Sequence, residues 1–154
     1  MQFSKSTDYA LHALVHLGHP GRNNNVGIKE IASTLGVSES YLSKIMSKLR
    51  QDGIVRAVPG VNGGYELARP ASQITFLDVI HVMEGRQKLF ECSNSASQQH
   101  QLLGEGAAQQ QDPPEKAECL VEKVMNGAEQ YMHQYLMEHT IGSVLDEAMK
   151  RCSH

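Results

Sequence analysis

Residues 28–53, IKEIASTLGVSESYLSKIMSKLRQDG, decide the fold of this chain. Apolar side chains in its first part recur at helical spacing and predict a helix with one apolar face: Ile28, Ile31, Ala32 and Leu35. Gly36 follows at the place where a helix C-terminus favours a residue that adopts positive φ. We therefore expect a turn at Gly36 and Val37.

A second helix is predicted after this turn, with Ser38 as its N-cap and its end at about Asp52. Its apolar residues again recur at helical spacing and should face a core: Leu42, Ile45, Met46 and Leu49. The opposite face carries small polar and cationic side chains: Ser40, Ser43, Lys44, Ser47 and Lys48. The polar face is therefore available to a partner outside the core.

A small, cationic helix face is suited to the major groove of DNA. Serine hydroxyls can bond base edges or phosphate oxygens, and Lys44 and Lys48 would release counterions from the duplex. Glu39, at the start of the helix, can accept a hydrogen bond from a cytosine amino group. The alternative interpretation is an ordinary solvated helix face.

Two short strands are predicted next, at residues 54–58 and 65–68, around the turn-forming residues 59–64. A helix, a turn, a second helix and a two-stranded wing make up the winged helix-turn-helix layout, in which the second helix enters the major groove. A structural hairpin without a role in DNA binding is the alternative. The pattern predicts a mainly α fold: a winged helix-turn-helix domain with a two-stranded wing, followed by a long C-terminal helix.

We predict that the second helix and the wing together contact DNA. The predicted contact residues are Ser38, Glu39, Ser40, Tyr41, Ser43, Lys44, Ser47, Lys48, Arg56, Gly60, Asn62 and Gly63. The charge distribution agrees with this prediction, although the whole chain has a formal net charge of -3. Residues 1–75 carry eight Lys and Arg against five Asp and Glu, whereas residues 76–154 carry six against twelve. The positive charge is concentrated in the half that holds the motif.

The C-terminal region predicts a dimer. An apolar stripe recurs along one long helix face and comprises Leu120, Val121, Val124, Met125, Ala128, Tyr131, Met132, Tyr135 and Leu136. We interpret it as a dimerisation helix that packs against a second copy, and the alternative is that it folds back on its own domain. A symmetric dimer predicts a near-palindromic operator in double-stranded DNA. A shorter helix is expected from Thr140 onwards.

Composition limits the other classes of function. No apolar run approaches the ~20 residues of a membrane span, and the first residues resemble no signal peptide, so we expect a cytoplasmic protein without membrane contact. Three cysteines in a reducing compartment argue against a disulfide framework. No nucleophile with a paired base and no phosphate-binding loop is evident, which argues against an enzyme.

The motifs together resemble the Rrf-two (Rrf2) family of bacterial transcription regulators, which includes iron-sulfur, nitric-oxide and redox sensors. The resemblance rests on four landmarks at the family's spacing: residues 6–10, residues 38–42, residues 63–65 and Cys92. It implies a homodimeric regulator whose operator binding depends on a sensed signal. This chain has Pro59 where the family's wing often carries a basic residue, and Arg56 is the nearest substitute.

The resemblance also implies a 2Fe-2S cluster. The redox-sensing family member RsrR holds its cluster through two cysteines, a carboxylate and a histidine, and the matching positions here are Asp8, His12, Cys92 and Cys119. Asp8 and His12 are i, i+4 on the first helix and should be neighbours. Thiolates suit iron-sulfur clusters, and histidine ligation can couple electron transfer to a proton.

Each of these four residues also has an ordinary structural interpretation, and His16 and His100 are reserve ligands. Cys152 is taken as unrelated to the cluster. The main alternative is a family member without a cluster, switched by oxidation of cysteine thiols or by a small-molecule ligand.

The expected division of the chain is a DNA-binding domain, residues 1–75, and a second part, residues 76–154. The second part would comprise a linker helix at about residues 76–84, a mobile cluster-binding loop at residues 92–119 and the dimerisation helix. The loop is expected to be mobile because it is long, polar and rich in glutamine. A loop between two ligands would respond to the state of the cluster.

Overall fold

A computed structural model of the chain describes residues 2–21, 25–93 and 119–153. In these residues the chain forms six α-helices, one short 3-10 helix and two strands. In chain order they are α1 (Lys5–Gly18), α2 (Ile28–Leu35), α3 (Glu39–Gln51), β1 (Val55–Val58), β2 (Gly64–Leu67), the 3-10 helix Ala71–Gln73, α4 (Phe76–Glu84), α5 (Leu120–Glu138) and α6 (Ile141–Cys152).

Local chemistry explains where the helices of the motif begin and end. α2 ends at Gly36, whose φ of 69° is left-handed and whose N–H bonds back to carbonyl groups of the helix. α4 begins with a capping box, in which Thr75 accepts from the Asp78 N–H and the Asp78 carboxylate accepts from the Thr75 N–H. The predicted helices and turn are confirmed, and the predicted strands are confirmed with bounds shifted by about one residue.

One apolar core holds the helix-turn-helix together. It is built from residues that are almost completely buried: Ala10, Ala13, Leu14, Val26, Ile31, Ala32, Leu42, Ile45, Met46, Leu49, Ile54, Val55, Ile74, Val79, Ile141 and Leu145. The last two lie on α6, which packs against α1. Ile141 is tied to the earlier chain by its backbone N–H, which donates to the Ile74 carbonyl at 2.9 Å. The core of the motif therefore includes residues from the C-terminal end.

The wing is an antiparallel hairpin with a third attachment. β1 and β2 pair from Val55 opposite Leu67 to Val58 opposite Gly64. On the other side of β2, Tyr65 exchanges two backbone hydrogen bonds of 2.9 Å with Val26. A side chain at Gly64 could not fit, because its Cβ would lie 2.3 Å from the Val26 carbonyl oxygen. The wing is thus anchored to the segment that precedes α2.

The chain divides by compactness into two units. The first comprises residues 1–86 and 135–154, and the second comprises residues 87–134. The functional division at residue 75 that the sequence suggests stays a prediction. Residues 94–118, most of the loop predicted to be mobile, lie outside the described residues. Of the helices described, none combines the length and the apolar content that crossing a membrane requires.

Candidate nucleic-acid interface and ligand positions

The start of α3 is fixed by its cap. The Ser38 hydroxyl accepts a hydrogen bond from the Tyr41 N–H at 3.2 Å, so Ser38 is the predicted N-cap. The Ser40 hydroxyl lies 3.4 Å from that of Ser38. Both serines and Glu39 are exposed at this end of the helix. Three polar side chains are therefore presented where α3 begins.

α3 has the two faces that the sequence predicts. Its four apolar residues Leu42, Ile45, Met46 and Leu49 are buried in the core. Lys44 and Lys48 are exposed one helical turn apart, and Ser43 and Ser47 are half-buried beside them. This arrangement gives two cations that can reach phosphates and hydroxyls that can reach base edges.

Tyr41 differs from the other predicted contact residues on α3 because its side chain packs against another helix. Its side chain is half-buried, its hydroxyl lies 3.0 Å from the Ser6 hydroxyl, and its ring meets the Tyr9 ring edge to face at 5.9 Å. These contacts join the start of α3 to α1. Tyr41 therefore has a packing role, and its contact with DNA stays a prediction.

The wing residues are arranged around one ion pair and one tight turn. Arg56 on β1 lies directly opposite Glu66 on β2, and its Nε donates to the Glu66 carboxylate. Gly60 has a φ of 107°, and its carbonyl accepts the Gly63 N–H at 3.0 Å. The predicted contact residues Gly60 and Asn62 are exposed, and Gly63 is half-buried. The hairpin thus presents its turn, whereas its one arginine is already paired within the hairpin.

Asp8 and His12 are neighbours on the exposed side of α1, as their spacing predicts. The His12 Nδ1 lies 2.8 Å from the Asp8 Oδ1 and 2.9 Å from the Asp8 carbonyl oxygen. In the neutral form of an imidazole, a ring nitrogen that faces two acceptors is the one that carries the proton, and this tautomer leaves the lone pair on Nε2. Histidines that bind metals commonly donate their other ring N–H to a carboxylate or a carbonyl in this way.

The cysteines lie in different environments. Cys119 is buried, with 3% of its surface exposed, and it directly precedes α5, where its carbonyl accepts the Lys123 N–H at 2.8 Å. Cys92 is half-buried, and Cys152 near the end of α6 is exposed. Cys92 and Cys119 belong to the second compact unit, whereas Asp8 and His12 belong to the first. In the part of the chain that the structure describes, no three His, Cys, Asp or Glu side chains form a metal site.

Of the two reserve ligands, the structure describes one and leaves the other outside the described residues. The His16 side chain on α1 is 10% exposed, and its Nε2 lies 3.6 Å from the Glu30 Oε1 on α2. This environment is that of a packed histidine between two helices. His100 lies outside the described residues.

Sequence reasoning missed a polar contact that joins α1 to α4. The buried Thr7 hydroxyl and the Ser4 N–H each donate to the Glu84 Oε1 at 2.6 Å. The hydrogen bonds from Thr7 and then Ser4 stabilise the charged carboxylate and lower the pKa of Glu84, although burial opposes this shift. Glu84 thereby holds the first turn of the helix that carries Asp8 and His12. No local pattern marks two residues 77 positions apart as partners.

Comparison with known proteins gives both a family match and structural neighbours. Residues 3–147 match the model of the family described as "Rrf2: Iron-dependent Transcriptional regulator". Protein aau3 of Rhizobium meliloti (strain 1021) is 42% identical over 92 residues, which are 60% of this chain. The match spans 59% of the length of that relative.

Two solved structures have the same fold. IscR of T. potens superposes with a TM-score of 0.68 at 24% identity, over 96% of this chain and 88% of that one. CymR, described as the global cysteine regulator of B. subtilis, superposes with a TM-score of 0.65 at 23% identity, over 96% and 98% of the two chains. At these identities the likeness concerns the fold alone.

Proposed function

Since this chain belongs to the Rrf2 family of transcriptional regulators, we propose that it is a homodimer whose operator binding depends on a 2Fe-2S cluster. The redox state or the presence of the cluster would set the affinity for DNA. Family membership places the chain among regulators and not among enzymes. The finer proposals concern the DNA contacts, the dimer and the cluster ligands. The protein would act in the cytoplasm, where bacterial operators are.

The observation that carries the proposal for DNA is the outward face of α3. Lys44 and Lys48 are exposed on a helix that follows a left-handed turn and is capped by Ser38. We assign base and phosphate contacts to this face and to the exposed start of the helix at Glu39 and Ser40. The lysines supply affinity through counterion release, and the hydroxyls and Glu39 supply discrimination between bases.

The proposed dimer rests on α5. None of its residues is buried, and its apolar stripe is open, with Val124 72% exposed and Tyr131 83% exposed. Tyr135, one turn beyond Tyr131, is 63% exposed. A stripe of this length on one face suits the same face of a second copy, which would bury both. Two α3 helices held by such a stalk would read a near-palindromic operator.

The proposed cluster ligands are Asp8, His12, Cys92 and Cys119. The donor set fits such a cluster because two thiols can bind iron as thiolates, and the His12 Nε2 keeps its lone pair while Nδ1–H is held by Asp8. The second carboxylate oxygen of Asp8 can act as a ligand while Oδ1 accepts from His12. When bound, the cluster would supply one-electron redox chemistry. His12 would hold or release a proton at Nδ1 as the cluster charge changes.

A modest energy difference is enough for regulation of this kind. A tenfold change in operator affinity requires that the two cluster states differ by about 1.4 kcal/mol in their preference for the DNA-competent dimer. The first turn of α1, beside Asp8, contacts both α3 through Tyr41 and α4 through Glu84. A change at Asp8 therefore has a short route to the recognition helix.

The second candidate is a cluster-free thiol switch or a regulator with a small-molecule ligand. It is favoured by the fact that Cys92 and Cys119 belong to the same compact unit, whereas Asp8 and His12 belong to the other. In the thiol switch, two thiols would lose two electrons and two protons to an oxidant and form one disulfide. Such a switch would need neither Asp8 nor His12.

Purification without oxygen, followed by a visible spectrum and counts of iron and sulfide, tests the cluster. We expect iron and sulfide in equal, stoichiometric amounts, and their loss in Cys92→Ala, Cys119→Ala and His12→Ala. Cys152→Ala is the matched control and should retain both. Colourless protein without iron would overturn the cluster proposal and favour the second candidate. Preference of either state for one duplex over random competitor tests the DNA proposal separately.

A further inference from the structure

One carboxylate on α5 is covered, although the helix is otherwise open. No residue of α5 is buried as a whole, and apolar residues such as Val124 and Tyr131 are largely exposed. The side chain of Glu129 is nevertheless only 12% exposed. Carboxylates are seldom covered in this way unless they are paired or hydrogen-bonded. The partners of Glu129 therefore indicate what lies over this part of the helix.

Both oxygens of the Glu129 carboxylate face a partner. Oε2 accepts a hydrogen bond of 3.3 Å from the backbone N–H of Leu89, a residue 40 positions earlier. Oε1 lies 3.7 Å from the His133 Nε2, one helical turn further along α5. Leu89 lies outside the helices and strands, so its N–H serves no regular element. The contact thus attaches the segment that follows α4 to the surface of α5.

The attachment lies close to both cysteines of the second compact unit. Leu89 precedes Cys92 by three residues, and Cys119 precedes Glu129 by ten. Ten helical residues rise about 15 Å, and three extended residues span about 10 Å. Side chains on a helix lean towards its N-terminal end, which here is the end beside Cys119. A segment that runs from Leu89 towards that end therefore brings Cys92 within reach of Cys119.

Without this attachment, the two cysteines would be joined only by a much longer path. Along the chain they are separated by residues 93–118. Bringing the ends of so long a connection together costs conformational entropy. The contact between Leu89 and Glu129 replaces that path with three residues and a stretch of helix. A single side chain can therefore control the separation of the two thiols.

We propose that Glu129 is the positioning residue of this cysteine pair: its carboxylate fastens the Cys92 segment to α5 and so holds Cys92 near Cys119. This inference rests on the proposed function, because the cluster and the thiol switch both need the two thiols close together. Glu129 acts through the Leu89 N–H, and its role requires no contact with iron.

The test measures how readily the two thiols pair in the full-length, metal-free chain. Protein with Cys152→Ala is equilibrated with mixtures of reduced and oxidised glutathione. Formation of the disulfide between Cys92 and Cys119 passes two electrons and two protons to oxidised glutathione, which becomes two molecules of reduced glutathione. Mass spectrometry of the trapped protein gives the effective concentration of one thiol at the other.

Glu129→Ala removes the acceptor and should lower this effective concentration by about twofold to tenfold, as expected for the loss of one hydrogen bond. Alanine favours helix, so α5 should persist and circular dichroism should not change. Glu129→Gln keeps an amide oxygen that can accept from the Leu89 N–H and should restore most of the pairing. Gln130→Ala changes the next, exposed residue and is the matched control, which should behave as the parent protein.

A second measurement observes the hydrogen bond itself. Exchange of the Leu89 N–H with solvent should become faster in Glu129→Ala and should stay unchanged in Gln130→Ala. Equal effective concentrations in the parent protein and in Glu129→Ala would overturn the positioning role and leave the proposed function in place. If the parent protein forms no disulfide at any glutathione ratio, the thiols do not meet. The proposed cysteine pair then fails, and the inference fails with it, so the two failures are distinguishable.

Discussion

Helices α3 and α5 have the same kind of apolar pattern but different surroundings. Both repeat apolar side chains at helical spacing along one face. In α3 the four apolar residues are buried, because α1, α2 and α4 pack around them. In α5 no residue is buried. Periodicity thus predicts that a face will be apolar, but it does not specify whether the same chain or a second copy covers that face.

The difference assigns different tasks to the two helices. Burial of one face of α3 fixes the helix on its own unit and leaves the polar face exposed for the proposed DNA contact. The open stripe of α5 is the part of the chain that needs a partner in order to be covered. We therefore expect substitutions on the buried face of α3 to act on folding and substitutions on the stripe of α5 to act on assembly. Four experiments, in order of decreasing effect, test this comparison and the contacts that α1 makes with α3 and α4.

The largest effect is expected for Leu42→Ala, on the buried face of α3. Removal of a completely buried leucine leaves a cavity, so the free energy of unfolding should fall by about 2–5 kcal/mol. Urea denaturation measures it. Ser40→Ala on the exposed face of the same helix is the control and should change stability by no more than about 0.5 kcal/mol. A loss below about 1 kcal/mol in Leu42→Ala would mean that α3 is not held by its apolar face.

The next effect concerns assembly. Val124→Asp combined with Tyr131→Asp places two charges on the exposed stripe and should give a folded monomer by sedimentation and circular dichroism. Operator affinity should fall by about 100-fold, since the second half-site is no longer tethered to the first. Gln130→Asp adds a charge away from the stripe and should leave the dimer intact. A dimer that persists in the double variant would show that α5 is not the interface.

A smaller effect is expected for Tyr41→Phe. The substitution removes the hydroxyl that lies 3.0 Å from the Ser6 hydroxyl and keeps the ring beside Tyr9. The free energy of unfolding should fall by about 0.5–1.5 kcal/mol. Ser6→Ala removes the other hydroxyl of this pair and should lower the free energy of unfolding by a similar amount. Equal stability of Tyr41→Phe and the wild type would remove this bond from the account of how α1 holds α3.

The smallest effect concerns the polar contact between α1 and α4. The lowered pKa of Glu84 means that its charge stabilises the folded state above the usual value of 4.5, and that this stability is lost as pH falls through the lower folded value. Glu84→Gln should therefore be less stable than the wild type near neutral pH, and the difference should narrow below pH 4.5. Thr7→Val removes the hydroxyl that donates to the Glu84 carboxylate and should show the same dependence of stability on pH. A difference that is constant with pH would contradict this account.

Much of the fold is readable from the sequence because it depends on local chemistry. Gly36 and Ser38 mark the turn and the cap, and the apolar spacing of α2 and α3 follows from contacts within a few residues. Asp8 and His12 could be placed together for the same reason, since four residues make one helical turn. The pairing of Arg56 with Glu66 follows once the register of the hairpin is known.

The remaining features depend on residues far apart in sequence. The contact of Thr7 with Glu84 and the burial of Ile141 arise only when distant segments meet. Tyr41 illustrates the same dependence, because the sequence predicts a DNA contact for it and gives no sign that its ring also packs on Tyr9. In such places the packing of other elements decides a side chain's role. The pattern of its own helix is insufficient.

The packing of α6 in the apolar core of the helix-turn-helix has a consequence for synthesis on the ribosome. Ile141 and Leu145 belong to the same buried cluster as Leu42 and Ile31, yet they are translated some hundred residues later. A Cβ at Gly142 would lie 2.8 Å from the backbone nitrogen of Ser72, so this junction closes tightly. A nascent chain that stops before residue 141 carries α3 without part of the buried cluster that supports this helix. Prematurely terminated copies should therefore be less stable than the full-length chain.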